Sequence, residues 1–371
     1  MTGATLFYPI FQPYPKAPRG ETPLGDNSRM GDGDLAMAKV NEGAVPVLET
    51  WRGGILENAH LGHAVICDAN GIVHTWGNPK AVIFPRSSAK MLQALPLIET
   101  GAAAARGLSD AQLALACASH DGADLHVGMA GRWLADLGLG ESDLRCGAHE
   151  PYDQTERDRL IRAGEKPCQL HNNCSGKHTG FLTVTQHLKA GPEYNEIDHP
   201  LQKAIRAVTE ETTGETVAGW GVDGCSAPNF AMTVEGLAQA MATYATAREG
   251  HGVRESAMNR LTRAMARHPE LVAGEGQPCT DLMRAMNGRV AVKGGADGVY
   301  VAIVPERGLG IALKIVDGNA RAKVAAIAAL LEKIGVLDPA HPAAVKRMNP
   351  VLHNWRNLET GFLRLADGFP G

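Results

Sequence analysis

The 371-residue chain has few aromatic residues, 5%, and modest charge, 20%, with neither sign in excess: 36 Lys and Arg stand against 40 Asp and Glu, a formal −4. Lys and Arg are scattered and the sequence pI is about 6.4. With no basic field, nucleic acid is not an expected partner. No stretch approaches the ~18–20 uninterrupted apolar residues that a membrane span needs, so no membrane partner is expected either. Glycine is plentiful at 43 residues, but without a collagen period or a solenoid repeat. The seven cysteines, at 67, 117, 146, 168, 174, 225 and 279, are odd in number and follow no recognisable secretory leader. That argues against a disulfide framework and for reduced thiols in a cytoplasm. What the chain has is apolar material, 44%, enough for one large domain or two ordinary ones.

Residues 1 to about 43 are punctuated by Pro and Gly without helical or strand period and read as a flexible tail, native or non-native in origin, with Met37 as an alternative start. Beyond it, VPVLETW, GHAVICDA and GIVHTWG are short, β-branched and separated by turn residues, hence strands. A long helical middle follows. SDAQLALACAS opens with Ser109 and Gln112 at capping-box spacing. GKHTGFLTVTQHLKAG, PLQKAIRAVTEETTG, TVEGLAQAMATYATA and VRESAMNRLTRAMARHPE carry helical apolar spacing. Strands return as VAVKGG, GVYVAIV and GLGIALKIV, the last two joined by PERG, and NARAKVAAIAALLEKIG closes as an amphipathic helix. The order strands–helices–strands–helix fits an α/β (α+β) class in which N- and C-terminal strands share one antiparallel sheet. The helices form a second lobe, with a cleft between.

PRSSAKMLQAL places Ser87 three residues before Lys90. On a helix these face each other, whereas Ser88 and Lys90 do not. A serine hydroxyl needs a base to become a nucleophile, and lysine serves only if burial or a nearby cation lowers its pKa far below about 10.4. About one Ser-x-x-Lys is expected by chance in a chain this long, so two surface side chains are the plain alternative. Two further segments add weight. ACASHDG places Ser119 after the capped helix, and VAVKGGADG places Lys293, Gly294 and Gly295 at a strand edge where glycine permits close backbone approach. Together they reproduce the order Ser-x-x-Lys, loop Ser, Lys-x-Gly of penicillin-recognising serine hydrolases.

HNNCSGKHTGF holds Cys174, Lys177 and His178 within five residues, and GWGVDGCSAPNF holds Asp223 and Cys225 in a glycine-rich turn. Two thiolates and a nitrogen or oxygen donor suit tetrahedral zinc. Neither Cys-x-x-Cys nor a His pair is present, so two buried thiols in a polar turn is the plainer reading. A third option is that His178 and Asp223 hold a polar substrate without metal.

With PRSSAKMLQALPLIE, ACASHDG, HNNCSGKHTGFL, GWGVDGCSAPNFA and VKGGADGVY in order between about residues 47 and 335, the chain resembles the rhizobial-type L-asparaginases, the asparaginase II family. This family is separate from the threonine-dependent bacterial and the N-terminal-nucleophile plant-type enzymes. The resemblance implies a serine β-lactamase/glutaminase-like fold, with residues 44–371 as one catalytic domain and a helical subregion at about 88–270. It implies hydrolysis of the L-asparagine side-chain amide through two Ser-Lys pairs, Ser87 with Lys90 and Ser119 with Lys293. It further implies one Zn2+ on Cys174, Lys177, Cys225 and a water, supporting rather than essential. His178 and Asp223 fall beside that site and Arg86 near the substrate, and the family implies a homodimer. Since asparagine is a zwitterion, Arg86 or a lysine is expected at its α-carboxylate and Asp223 at its α-ammonium. Backbone N–H groups near Ser87 and Gly294–Gly295 are expected at the oxyanion. Rival readings are a glutaminase, a β-lactam-acylated hydrolase or peptidase, and a non-catalytic zinc- or amino-acid-binding protein of the same fold.

Overall fold

The structure, a computed structural model, describes residues 40–371. The expected tail falls outside the described residues except for 40–43, which form a turn. Three strands follow as the β-branched runs predict, β1 (Val45–Arg52), β2 (Ile55–Asp68) and β3 (Gly71–Trp76). The short β4 (Val82–Ile83) leads into a 3-10 turn at Arg86–Ala89.

The helical middle runs α1 (Lys90–Glu99), α2 (Ala102–Ala105), α3 (Asp110–Ala116), α4 (Asp124–Asp136), α5 (Gln154–Ala163), α6 (Ser175–His187) and α7 (Pro200–Thr213). The hairpin β5 (Gly219–Val222) and β6 (Pro228–Thr233) interrupts it and pairs with β4 as a small antiparallel sheet. Then come α8 (Val234–Thr246), α9 (Val253–Arg267), α10 (Pro269–Val272) and α11 (Pro278–Ala285). Strands β7 (Ala291–Gly294), β8 (Val299–Val304) and β9 (Leu309–Ile315) precede α12 (Ala320–Lys333), α13 (Pro342–Met348), β10 (Val351–His353) and β11 (Glu359–Leu365).

The class is α+β, as expected. The large sheet runs β10-β11-β1-β2-β9-β8-β7, with β3 also on β2, and every pairing is antiparallel. N- and C-terminal strands therefore meet at β2–β9, with Ala64 opposite Leu313. All six residues of β8 are buried, so both its faces are covered, and α8 and α12 pack against it. The capping box at α3 forms as predicted: Gln112 N–H donates to Ser109 Oγ (3.3 Å) and Ser109 N–H to Gln112 Oε1 (3.0 Å).

Two expectations differ. Helix α12 is not amphipathic, because Ala322 and every residue from 324 to 331 are buried between the sheet and the C-terminal segments. Nor does the chain close with that helix: α13, β10 and β11 follow, and β11 pairs along β1 from Leu48↔Leu365 to Trp51↔Phe362. Helix α6 is buried over eleven of thirteen residues. It lies against the end of α3 so closely that a Cβ on Gly176 would be 2.4 Å from Leu115 Cγ and 2.5 Å from its carbonyl oxygen.

Candidate active site

Three segments converge at the edge of the large sheet. The Arg86–Ala89 turn carries Ser87 and leads into α1 with Lys90. The loop after α3 carries Ser119, held where its N–H donates to the Val272 carbonyl (2.9 Å). Edge strand β7 carries Lys293. Gly295 lets that edge approach the turn: a Cβ there would be 2.7 Å from Pro85 O and 3.1 Å from Ser88 N.

A cavity of about 290 Å³ opens among these segments, lined by Ser87, Ser119, Lys293, Gly294, Gly295 and Lys323 together with His120, Asp121, Tyr152, Asn173, Cys279, Ala296 and Tyr300. Lys293 is 1% exposed. Its Nζ donates to Ser119 Oγ at 2.9 Å and to the Gly294 carbonyl at 2.7 Å. Burial lowers its pKa to about 7, with Cys279 opposing and Lys90 adding to the shift. This is the Ser-Lys pair the structure brings into bonding contact.

The other expected pair is arranged differently. Among the described residues no side-chain hydrogen bond joins Ser87 to Lys90, whose backbone N–H donates to the Ser87 carbonyl. The Lys90 ammonium lies beneath the cavity floor, donating to the Ala118 carbonyl and to Cys174 Sγ (3.0 Å). Ser88, expected to be turned away, is buried and donates to Pro85 O (2.6 Å). Helical spacing placed the two residues correctly along the chain. The 3-10 turn, however, gives Ser87 to the cavity, while the lysine stem is drawn to the unsatisfied carbonyl at the end of α3.

The N–H groups of Gly294 and Gly295, expected at an oxyanion, both have acceptors within the chain. Gly294 N–H donates to Cys279 Sγ (3.3 Å) and Gly295 N–H to the Val299 carbonyl (2.9 Å). The next N–H, of Ala296, has no acceptor among the described residues, and neither has that of Ser87. Both residues line the cavity.

Arg86 and Asp223 do not line it. Arg86 Nε donates to Asp223 Oδ1 (2.9 Å), and its guanidinium also pairs with Asp297. The three acidic and basic groups line a neighbouring hollow of about 370 Å³. Arg86 takes a left-handed backbone conformation, φ +54°, which costs a non-glycine residue roughly 1–3 kcal/mol. Arg86 and Asp223, expected at the substrate's two charges, are joined to each other in this hollow beside the cavity.

Behind the floor lie Cys174, Lys177, His178 and Cys225, all buried. Lys177 Nζ donates to Cys225 Sγ at 3.1 Å, and His178 Nδ1 bonds Tyr194 Oη at 2.8 Å. The neighbouring Cys225 sulfur together with burial pushes the Cys174 thiol up, while Cys174 and Lys177 hold the Cys225 thiol down against its own burial. Burial opposes charge on Lys177, but the Cys225 and Cys174 sulfurs outweigh it and raise its pKa. Among the described residues no group of three or more His, Cys, Asp or Glu side chains has metal-holding geometry, so a metal there needs the Lys177 amine as a donor. The set of two thiols and a nitrogen matches zinc in softness, and His178 Nε2 is a buried atom without a hydrogen-bond partner beside it. His178 does not reach the cavity, so its reading as a substrate group is not matched by its position.

Sequence reading missed His120, Asp121, Tyr152, Asn173, Cys279, Tyr300, Ala296 and Lys323 as cavity residues. His120 and Asp121 stand inside ACASHDG and Ala296 inside VKGGADG, so their segments had been singled out. Tyr152 and Lys323 carry no local signal.

A family model described as L-asparaginase II matches residues 48–365. Among solved structures, the native form of Mglu in 4.3 M NaCl is 15% identical with a TM-score of 0.41, over 74% of this chain and 61% of that one. Mglu in its tris and glutamate form is 15% identical, TM-score 0.42, over 74% and 59%. The chain thus spans about three fifths of the Mglu chains' length. A β-lactamase from Mycobacterium bovis is 11% identical, TM-score 0.32, over 71% and 89%. No protein of curated function matches the sequence.

Proposed function

The chain belongs to the L-asparaginase II family, and from that premise we propose that it hydrolyses the side-chain amide of L-asparagine to L-aspartate and ammonia through a serine acyl-enzyme. The observation that carries the reading is the buried Lys293 amine, with a pKa near neutrality, hydrogen-bonded to Ser119 at 2.9 Å in a cavity that Ser87 also lines. An amine that is neutral in much of the population at working pH is a competent base.

In this reading Ser87 Oγ attacks the amide carbon and its proton passes through Ser119 Oγ to Lys293. The Ser87 and Ala296 N–H groups receive the charge that develops on the carbonyl oxygen. The C–N bond then breaks as Ser119 returns the proton to the leaving nitrogen, releasing ammonia. Water, deprotonated by the same relay, attacks the ester carbon and frees aspartate and Ser87. Lys90 is a positioning residue whose buried ammonium holds the Ala118 carbonyl, and with it the Ser119 loop.

Zinc belongs to the same proposal, held by Cys174, Lys177 and Cys225. As a Lewis acid it would supply a fixed positive charge that locks the Lys90–Cys174 floor. Without metal, the Cys225–Lys177 pair does that work as thiolate and ammonium. Exhaustive chelation is expected to lower Tm while the activity of the remaining folded protein stays within about tenfold. Total loss of activity in protein that is still folded would reject the supporting role.

The deciding experiment is asparagine-dependent ammonia release by wild type, Ser87→Ala, Ser119→Ala and Lys293→Ala. Each variant is expected to lose at least ~100-fold in kcat. Intact-mass measurement of quenched reactions is expected to find the acyl adduct on Ser87. An adduct on Ser119 reverses the two serine roles, and unchanged turnover in Lys293→Ala removes the relay. Glutamine run in parallel tests specificity, since one methylene is worth only ~1–3 kcal/mol in a pocket.

A further inference from the structure

Resting on the amidase reading above, we infer that Asp121 and Lys323 are the charged ends of a recognition site for a free α-amino acid head, which makes the substrate class an amide borne on a zwitterion. Asp121 is the one carboxylate among the residues lining the cavity, and Lys293 and Lys323 are its cations. With Lys293 committed to Ser119, Lys323 is the cation left for a ligand.

The Asp121 carboxylate is built into place. It is 5% exposed, and among the described residues no Lys or Arg pairs with it. Its Oδ1 accepts from Ala123 N–H (3.2 Å) and lies 3.2 Å from His126 Nδ1. His126 Nε2 donates to the Glu270 carbonyl (2.9 Å), so that nitrogen must carry its hydrogen. His126 Nδ1, buried and without a hydrogen-bond partner among the described residues, stands against Oδ1 and limits where the carboxylate can turn. The His126 ring is itself fixed by stacking on His120 at 4.7 Å and 7°. Oδ2 is left without a hydrogen-bond partner among the described residues. Its space exists only because residue 274 is glycine: at φ +115°, a Cβ there would sit 1.9 Å from Asp121 Oδ2. A carboxylate oxygen without a donor, on a largely buried residue that lines the cavity, fits an ammonium ligand.

Lys323 lines the same cavity. It stands in the first turn of α12, its Nζ steered into the cavity by a bond to the Gly295 carbonyl, and among the described residues it has no carboxylate partner. Burial lowers its pKa, and an arriving carboxylate would favour the charged form. An amino acid head spanning Asp121 and Lys323 leaves its side-chain amide to the serines.

The test measures kcat/KM for asparagine, for succinamate, which lacks the α-amino group, and for 3-aminopropanamide, which lacks the α-carboxylate. Wild type is expected to prefer asparagine over each analogue by at least about 100-fold, the discrimination of a site built around polar partners. Asp121→Asn is expected to collapse the asparagine:succinamate ratio to within about tenfold, chiefly through KM, and Lys323→Met the asparagine:3-aminopropanamide ratio. A merely structural role would lower all three substrates by one factor. That result, or a wild type indifferent to the missing groups, overturns the assignment. Should wild type release ammonia from no amide, the amidase reading fails separately, and calorimetric binding of L-aspartate decides. Binding lost in Asp121→Asn and Lys323→Met upholds the site, and binding unchanged in both overturns it.

Discussion

Lys293 is the residue at which burial becomes chemistry. The ordinary lysine amine is charged at neutral pH, but here removal from water lowers the pKa to about 7, so the base form is populated where the protein works. For a base whose neutral form is active, kcat/KM for asparagine should rise with pH through about 7 and level above it. A profile flat from pH 5.5 to 8.5, once corrected for stability, would exclude Lys293 as the base. Lys293→Arg is expected to lose at least ~100-fold because a guanidinium does not deprotonate. The residue type and its neighbouring glycines were legible in VAVKGGADG. Its bonding partner was not, because Ser119 lies 174 positions away and only the packing of edge strand β7 against the α3 loop joins them. The Ser87–Lys90 relation shows the reverse. Spacing suggested a contact, and the carbonyl exposed at the end of α3 took the ammonium instead.

At the scale of elements, the site depends on how tightly α6 and α3 approach. Gly176 has Leu115 where a side chain would be, and the neighbouring residues supply Cys174 and Lys177 to the floor. Gly176→Ala is expected to cost roughly 1–3 kcal/mol by overpacking, read by denaturant unfolding, and to lower kcat beyond the loss of folded protein as the Ser119 loop is displaced. The start of α3 is separate from this. Ser109→Ala removes a capping box on the surface and should cost about 1 kcal/mol while leaving kcat unchanged, since the cap is at the end of α3 away from Ser119. The cap was readable from sequence because its partners are three residues apart. The closeness of two helices is not a local property, and Gly176 reads in sequence only as a weak helix residue.

At the scale of the whole molecule, the C-terminal segment completes the large sheet. Strand β11 covers the edge of β1, and Phe369 packs edge-to-face on Trp76 at 5.7 Å. Removal of residues 350–371 is expected to lower Tm and expose β1 as an unpaired edge, with self-association detectable by light scattering. A truncated protein that stays monomeric with unchanged Tm would show this closure to be dispensable. Strands β10 and β11 were not anticipated, because their residues alternate weakly and their stability comes from pairing with a strand some 300 positions earlier.

The sequence by itself determined the succession of first strands, helical middle, strands β7–β9 and α12, the antiparallel class, the capped helix and the identity of the chemical groups, because period, turn residues and side-chain type are local properties. Tertiary structure decided which groups meet. It paired Lys293 with Ser119 and sent Lys90 to a carbonyl. It closed Arg86 on Asp223, and it left Asp121 and Lys323 lining one cavity. Those outcomes follow from competition among buried polar groups for partners, and that competition exists only once the chain has excluded water.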